Sequence, residues 1–197
     1  MRYSGKSKSG KKYLASFIIV LVLAILFGFL ADFIIEKIEF SVYKKPEEYV
    51  TYVSMYSEKY DVPEHIIYSV IKAESGFDEL AKSSAGALGL MQMMPGTFEY
   101  LASSHFGENC IPSNLYDPEI SIKYGTYYLS YLYERYGNWT LAFAAYNAGP
   151  GNVDEWLSDK EYSADGQKLD KIPFKETKKY VSRVNRNIEK YDRLYNE

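Results

Sequence analysis

VIKAESGF, residues 70–77, reads as the end of an amphipathic helix. Ile67, Val70 and Ile71 share one face at helical spacing, and Glu74 continues the series. A carboxylate therefore stands where the next core residue belongs. Burial disfavours its charged form, and a helix C-terminus is the negative pole of the macrodipole, so both effects push its pKa upward. An acid still protonated near neutral pH is suited to general acid catalysis. The plainer alternative is a Glu that reaches solvent or pairs with a lysine.

The residues that follow favour the first reading. Gly86 and Gly89, in the run SSAGALGLMQMMPG, supply backbone freedom or close approach beside the acid, where a ligand could lie against main chain. Ser83 and Gln92 offer neutral hydrogen-bonding groups suited to hydroxyls and N-acetyl groups. Met91, Met93 and Met94 offer an adaptable apolar wall, with ordinary core packing as the competing use.

Around this stretch the pattern is helical. Helices are expected from about Pro46 to Tyr60 and from Pro63 to about Ser75, each opened by a proline suited to a first helical position. A shorter piece is expected near 97–104. Asp117-Pro118-Glu119 is a strong helix start, and Gly137 suits the C-terminal cap of that segment. NWTLAFAAYNAG reads as a buried helix of small and apolar residues. Asn138-Trp139-Thr140 inside it is formally a glycosylation acceptor, for which helix capping is the simpler reading. The last helix begins near Phe174, with Tyr180, Val184, Ile188 and Tyr191 as its stripe. No alternating strand, repeat or low-complexity tract is evident, so the expected class is all-α.

The N-terminus differs in kind. Tyr13 to Ala31 are 19 consecutive uncharged, mostly apolar residues, close to the roughly 20 that a bilayer core demands of a helix. A cleavable signal would have an apolar core of about 7–15 residues and a small-x-small cleavage site; here Phe29 would occupy the −3 position. An uncleaved anchor is expected. Residues 1–12 carry five basic side chains and no acid, which predicts a cytoplasmic N-terminus, a single pass and an extracytoplasmic remainder. The organisation is thus a basic N-terminus (1–12), a transmembrane anchor (13–31), a stalk (32–45) and a folded domain (46–197).

Outside residues 1–12 the chain has 18 basic against 26 acidic residues, a net of −8, which excludes a general nucleic-acid binder. GKSKSGKK, residues 5–12, imitates a phosphate-binding loop, yet Lys12 stands where Ser or Thr is required and no strand precedes it. The two histidines, His65 and His105, have no metal-site spacing, and His65 reads as a surface residue. With Cys110 as the single cysteine, no internal disulfide is possible. Tyrosine is abundant, at 21 residues, more than a small core needs, so some should line a surface or groove.

Three ordered motifs carry a family resemblance. Glu74-Ser75-x-Phe77 with Ala81-x-Ser83-x-x-Gly86-Ala87-x-Gly89-Leu90-Met91-Gln92-x-Met94-Pro95-x-Thr97 resembles the catalytic signature of soluble lytic transglycosylases. Residues 144–151, AAYNAGPG, resemble the second signature. Pro173, Glu176-Thr177 and Tyr180-Val181 resemble the third. The resemblance runs from about Val50 to Tyr191. Ser121 departs from it, standing where the family often has Asn.

The resemblance implies a goose-lysozyme-like α-helical domain that cleaves the β-1,4 bond between N-acetylmuramic acid and N-acetylglucosamine in peptidoglycan, forming a 1,6-anhydro ring. Glu74 would be the sole essential acid/base. Ser83, Gln92 and Met94 would contact the sugar, and Tyr146 would stand close to the acid. Asn147 suits either helix capping or substrate contact, and Glu176 either a helix start or the groove. No metal or cofactor is implied. The expected partners are glycan strands and, through residues 13–31, the cytoplasmic membrane. A hydrolytic muramidase and a non-catalytic wall-binding component of an envelope machine are the alternatives.

Overall fold

A computed structural model describes residues 7–195, with side chains from residue 13 onward. Arg2 and Lys6 and the side chains of Lys8, Lys11 and Lys12 lie outside the described residues, and of the loop-like match at 5–12 only the backbone from Ser7, which is helical, is described. The chain divides into two compact units that meet between Lys44 and Lys45.

The first unit is one helix, α1 (Ser7–Val42). Its apolar side chains are exposed throughout, and Tyr13–Val42 is the one helix among the described residues long and apolar enough to cross a membrane. The segment expected as a stalk continues this helix through Asp32, Glu36, Lys37 and Glu39 to Val42.

The second unit is built from α2 (Glu47–Tyr60), α3 (Glu64–Glu74), α4 (Pro95–Leu101), α5 (Pro118–Tyr136), α6 (Trp139–Ala148), α7 (Pro150–Ser158) and α8 (Lys175–Tyr195). A single π-helical turn (Ala102–Phe106) extends α4, and a 3₁₀ turn (Pro112–Tyr116) leads into α5. Among the described residues there is no strand, only isolated bridges between Lys82 and Leu88 and between Leu88 and Met93. The all-α expectation is met.

Helix α3 is buried on almost every side, from Ile66 through Ile71 and again at Ala73, because α2 flanks it and α8 packs along it. Helix α6 is equally enclosed. Leu141 to Ala145 are all within 2% of full burial, and its alanines let α5, α7 and α8 approach closely. The capping residues behave as their chemistry dictates. Asp117 Oδ1 accepts from the Ile120 N–H at 3.1 Å, and Asn138 Oδ1 accepts from the Leu141 N–H at 3.2 Å. Gly137 closes α5 in the left-handed region, with φ of 62°.

Four local differences from expectation have physical causes. Helix α4 starts at Pro95, which supplies the first helical φ at no hydrogen-bond cost. Helix α7 was not expected; Pro150 starts it directly after Gly149. On α8 the buried position is Asn187, which donates to the Ser69 carbonyl at 3.1 Å, whereas Ile188 is half-buried. His65 is half-buried instead of lying on the surface, and burial lowers its pKa.

The two ends of this unit are joined. The Lys45 backbone N–H donates to the Tyr195 hydroxyl at 3.2 Å, and its ammonium pairs with Glu64 at 3.2 Å. That ammonium also lies over the rings of Tyr68 and Tyr195, at 5.0 and 4.6 Å.

Candidate active site

Glu74 is the last residue of α3, and its place is set by how that helix stops. The N–H groups of Ser75 and Gly76 both return to the Ile71 carbonyl. Gly76 and Phe77 then take positive φ values of 63° and 74°. For Phe77 this conformation is strained; its ring contacts Tyr49 and Tyr68, at 6.3 and 6.4 Å between centroids, and Ser75 Oγ accepts its N–H at 3.1 Å. The chain turns sharply away, leaving the Glu74 side chain half-buried with protein packed around it.

Burial pushes the Glu74 pKa up from 4.5 to about 7. The Tyr180 hydroxyl and the Arg183 charge oppose that rise without cancelling it. Tyr180 hangs from α8 with its hydroxyl buried, where it interacts with the Glu74 carboxyl. The Tyr146 hydroxyl, from α6, is held far above its ordinary pKa by burial and then by the Glu74 charge. The carboxyl is thus enclosed by two neutral phenols.

The loop after α3 is a knitted structure. Leu88 and Met93 exchange backbone hydrogen bonds at 3.0 and 3.1 Å, and the Gly89 N–H donates to the Ala81 carbonyl at 3.0 Å. Ser83 Oγ accepts the Ala87 N–H at 3.0 Å. Gln92, with φ of 47°, folds its amide back to donate to the Ala81 and Gly89 carbonyls, at 3.0 and 2.9 Å. Met91 is clamped from two sides. Its N–H donates to the buried Ser121 Oγ at 3.1 Å, and its carbonyl accepts the Tyr146 hydroxyl at 2.8 Å.

A cavity of about 250 Å³ lies against this loop. Its walls are residues 92–94, Thr97 of α4, Tyr128 of α5 and residues 146–150 at the α6–α7 corner. A second, wider cavity of about 530 Å³ shares Asn147 and Ala148 with the first and is otherwise lined by residues 173–177. Glu74 lines neither wall; it is linked to the first through Tyr146, on which its charge acts as it does on Tyr180.

The expected site residues therefore separate. Gln92, Met94, Tyr146 and Asn147 gather on the first cavity; Asn147 and Glu176 share the second. Ser83 serves the loop's own turn. Gly89 is buried, and a Cβ there would collide with the Leu115 carbonyl, so the close approach read from its sequence context is to protein and not to an open groove. Met91 and Met93 are core, and only Met94, 46% exposed, is free to meet a ligand. Asn147 lies within α6, whose C-terminal cap is Gly149. Tyr180 belongs to the α8 stripe and to the third motif, but its place beside the acid was not expected, and the role of Ser121 was not foreseen. The signal for Ser121 is a small hydroxyl at a fully buried helical position.

This arrangement coincides with a known family. The family described as "Transglycosylase SLT domain" matches residues 51–169. The soluble lytic murein transglycosylase of Escherichia coli is 36% identical over 153 residues, covering 76% of this chain and 23% of that protein. Membrane-bound lytic murein transglycosylase C of Edwardsiella ictaluri is 32% identical over 173 residues, covering 77% and 48%. Among solved structures, the 70 kDa soluble lytic transglycosylase of Escherichia coli superposes with a TM-score of 0.65 at 33% identity, over 74% of this chain and 24% of that one. An inactive Glu-to-Gln variant of the Pseudomonas aeruginosa lytic transglycosylase Slt gives 0.66 at 33% identity, over 77% and 25%. The chain thus spans about a quarter of the soluble relatives and about half of the membrane-bound one.

Proposed function

The chain belongs to the transglycosylase SLT-domain family, and on that premise we propose that it cleaves peptidoglycan glycan strands at the β-1,4 bond between N-acetylmuramic acid and N-acetylglucosamine. The observation that carries the reading is the seat of Glu74: a carboxyl with a pKa near 7, enclosed by Tyr146 and Tyr180 and linked through Tyr146 to a groove-like cavity.

In this reading Glu74 gives its proton to the leaving glycosidic oxygen as the C1–O bond breaks. The resulting carboxylate takes the proton of the muramic C6 hydroxyl, whose oxygen bonds to C1 and closes the 1,6-anhydro ring. No water is consumed, because the substrate carries its own nucleophile at high effective concentration. Burial makes Glu74 a competent acid, and the Tyr180 hydroxyl and the Arg183 charge limit the cost of its transient charge. Gln92 presents its amide oxygen and Met94 its thioether to the sugar, and Asn147 and Glu176 face the adjoining cavity. Ordinary hydrolysis uses two carboxylates across the bond, whereas in this reading Glu74 serves alone as acid and then base.

Digestion of purified glycan strands tests the reading. Product strands ending in 1,6-anhydromuramic acid support it; new reducing ends indicate the muramidase alternative. If Glu74→Gln cleaved as fast as the parent, the catalytic assignment would be wrong. The reading also places residues 13–31 in the cytoplasmic membrane with the N-terminus inside and the second unit outside. Cys110, the single thiol, reports on that topology: a membrane-impermeant maleimide should label it on intact cells, and labelling only after lysis would reverse the orientation.

A further inference from the structure

The small cavity opens onto a row of rings that the cleavage chemistry does not use. From Tyr146 at the cavity wall, centroids step to Tyr128 (5.5 Å), Tyr131 (6.3 Å), His105 (5.9 Å) and Tyr100 (5.5 Å). Two helices build this row in parallel. Thr97 on α4 and Tyr128 on α5 both line the cavity, and three residues further along each helix, on the same face, stand Tyr100 and Tyr131. His105 edges against both of them from the π-helical turn, a rare geometry that recurs at functional sites.

The outer rings are accessible. Tyr100 is 58% exposed and His105 is exposed, while Tyr131 is half-buried. They are also held in place from beneath. His105 Nδ1 hydrogen-bonds the Tyr127 hydroxyl at 2.7 Å, and Tyr127 packs against Tyr60 and Phe106, at 5.3 and 4.8 Å. A row of pre-positioned rings, wet on one side, is poorly explained as core.

We propose that Tyr100, His105 and Tyr131 form an accessory saccharide-binding track that extends the cavity and holds a distal N-acetylhexosamine of the glycan strand. The axial C–H groups of a pyranose carry partial positive charge and fit the electron-rich faces of such rings. The steps between centroids are comparable to the advance of one sugar along a β-1,4 chain. The unsubstituted, neutral N-acetylglucosamine units of the strand suit the track, since no carboxylate or lysine belongs to it. The proposal rests on the glycan-cleavage reading and adds to it a preference for longer strands.

The test uses the full chain in detergent carrying Glu74→Gln, so that nothing is turned over, and β-1,4-linked N-acetylglucosamine oligomers as probes. In that background the hexamer should bind more tightly than the trimer, and Tyr100→Ala, His105→Ala or Tyr131→Leu should each reduce the hexamer's advantage, up to about tenfold for the tyrosines. Tyr131→Leu retains apolar bulk at the half-buried position, and matched melting curves establish that each variant is folded. Equal binding of hexamer and trimer to the unsubstituted background overturns the proposal. So does a set of folded variants that leaves the hexamer's advantage intact. Either result leaves strand cleavage by the parent protein untouched, so failure of the track is distinguishable from failure of the enzymatic reading.

Discussion

Glu74→Gln should make the protein more stable, and only at higher pH. Folding raises the Glu74 pKa from 4.5 to about 7. Between those values the folded state keeps a proton that the unfolded chain has released, so each step up in pH weakens folding. The penalty is absent below about pH 4, grows through the interval and is complete above about pH 7, where it reaches about 3 kcal/mol. Glutamine has nearly the shape of the protonated acid and cannot ionise. For a domain of this size, about 1 kcal/mol moves the melting temperature by roughly 2–4 °C. The variant should therefore melt up to about 6–12 °C above the parent at pH 8 and level with it at pH 4. Melting curves of both full chains in the same detergent, followed by near-ultraviolet circular dichroism from pH 4 to 8.5, measure the gap directly. Other titrating groups are common to both proteins and cancel in the difference. A gap that does not change with pH would refute the burial argument for Glu74, whatever the variant does to catalysis.

Three further outcomes follow from neighbouring contacts. Because Tyr180 lowers the Glu74 pKa, Tyr180→Phe should move the alkaline fall of kcat/KM, expected near pH 7 in the parent, to higher pH. It should cost little stability near pH 4, where Glu74 is protonated in the folded state, and more above about pH 7, where the carboxylate loses the hydroxyl that favours its charge. Ser121→Ala strips the acceptor from the buried Met91 N–H and should destabilise by about 1–3 kcal/mol, read as a shift in denaturation midpoint. It should also weaken cleavage, because Tyr146 is fastened to the same residue. Gly89→Ala meets the Leu115 carbonyl at a positive φ and should cost at least about 1–3 kcal/mol, visible as a lower melting temperature or loss of soluble protein.

The features that could be read in advance were those governed by near neighbours. Asp117, Gly137 and Asn138 declare helix ends because capping uses atoms three or four residues away. Glu74 betrayed itself through helical phase with Ile67, Val70 and Ile71, which is also local. The loop was harder. That Gly89 is forced by the Leu115 carbonyl, that Gln92 turns its amide inward and that Ser121 holds Met91 all depend on partners brought together only by folding. The motif does not distinguish residues on the cavity wall, such as Met94, from those that brace the loop, such as Ser83 and Gly89. Asn187 was missed for a related reason: its amide is buried because α8 happens to cross α3 at the Ser69 carbonyl.

The junction at Lys45 has a mechanical consequence. A pull on the chain at that point runs through the backbone into α2, and the bonds to Glu64 and Tyr195 share it with the start of α3 and the end of α8. Helix α3 is buried on almost every side and α8 packs along it, so many contacts resist the load together. Glu74 stands at the opposite end of the 11-residue α3 from Glu64, about 15 Å away. A pull at Lys45 is in this way spread over three helices, and the end of α3 that carries Glu74 is the end remote from its point of entry.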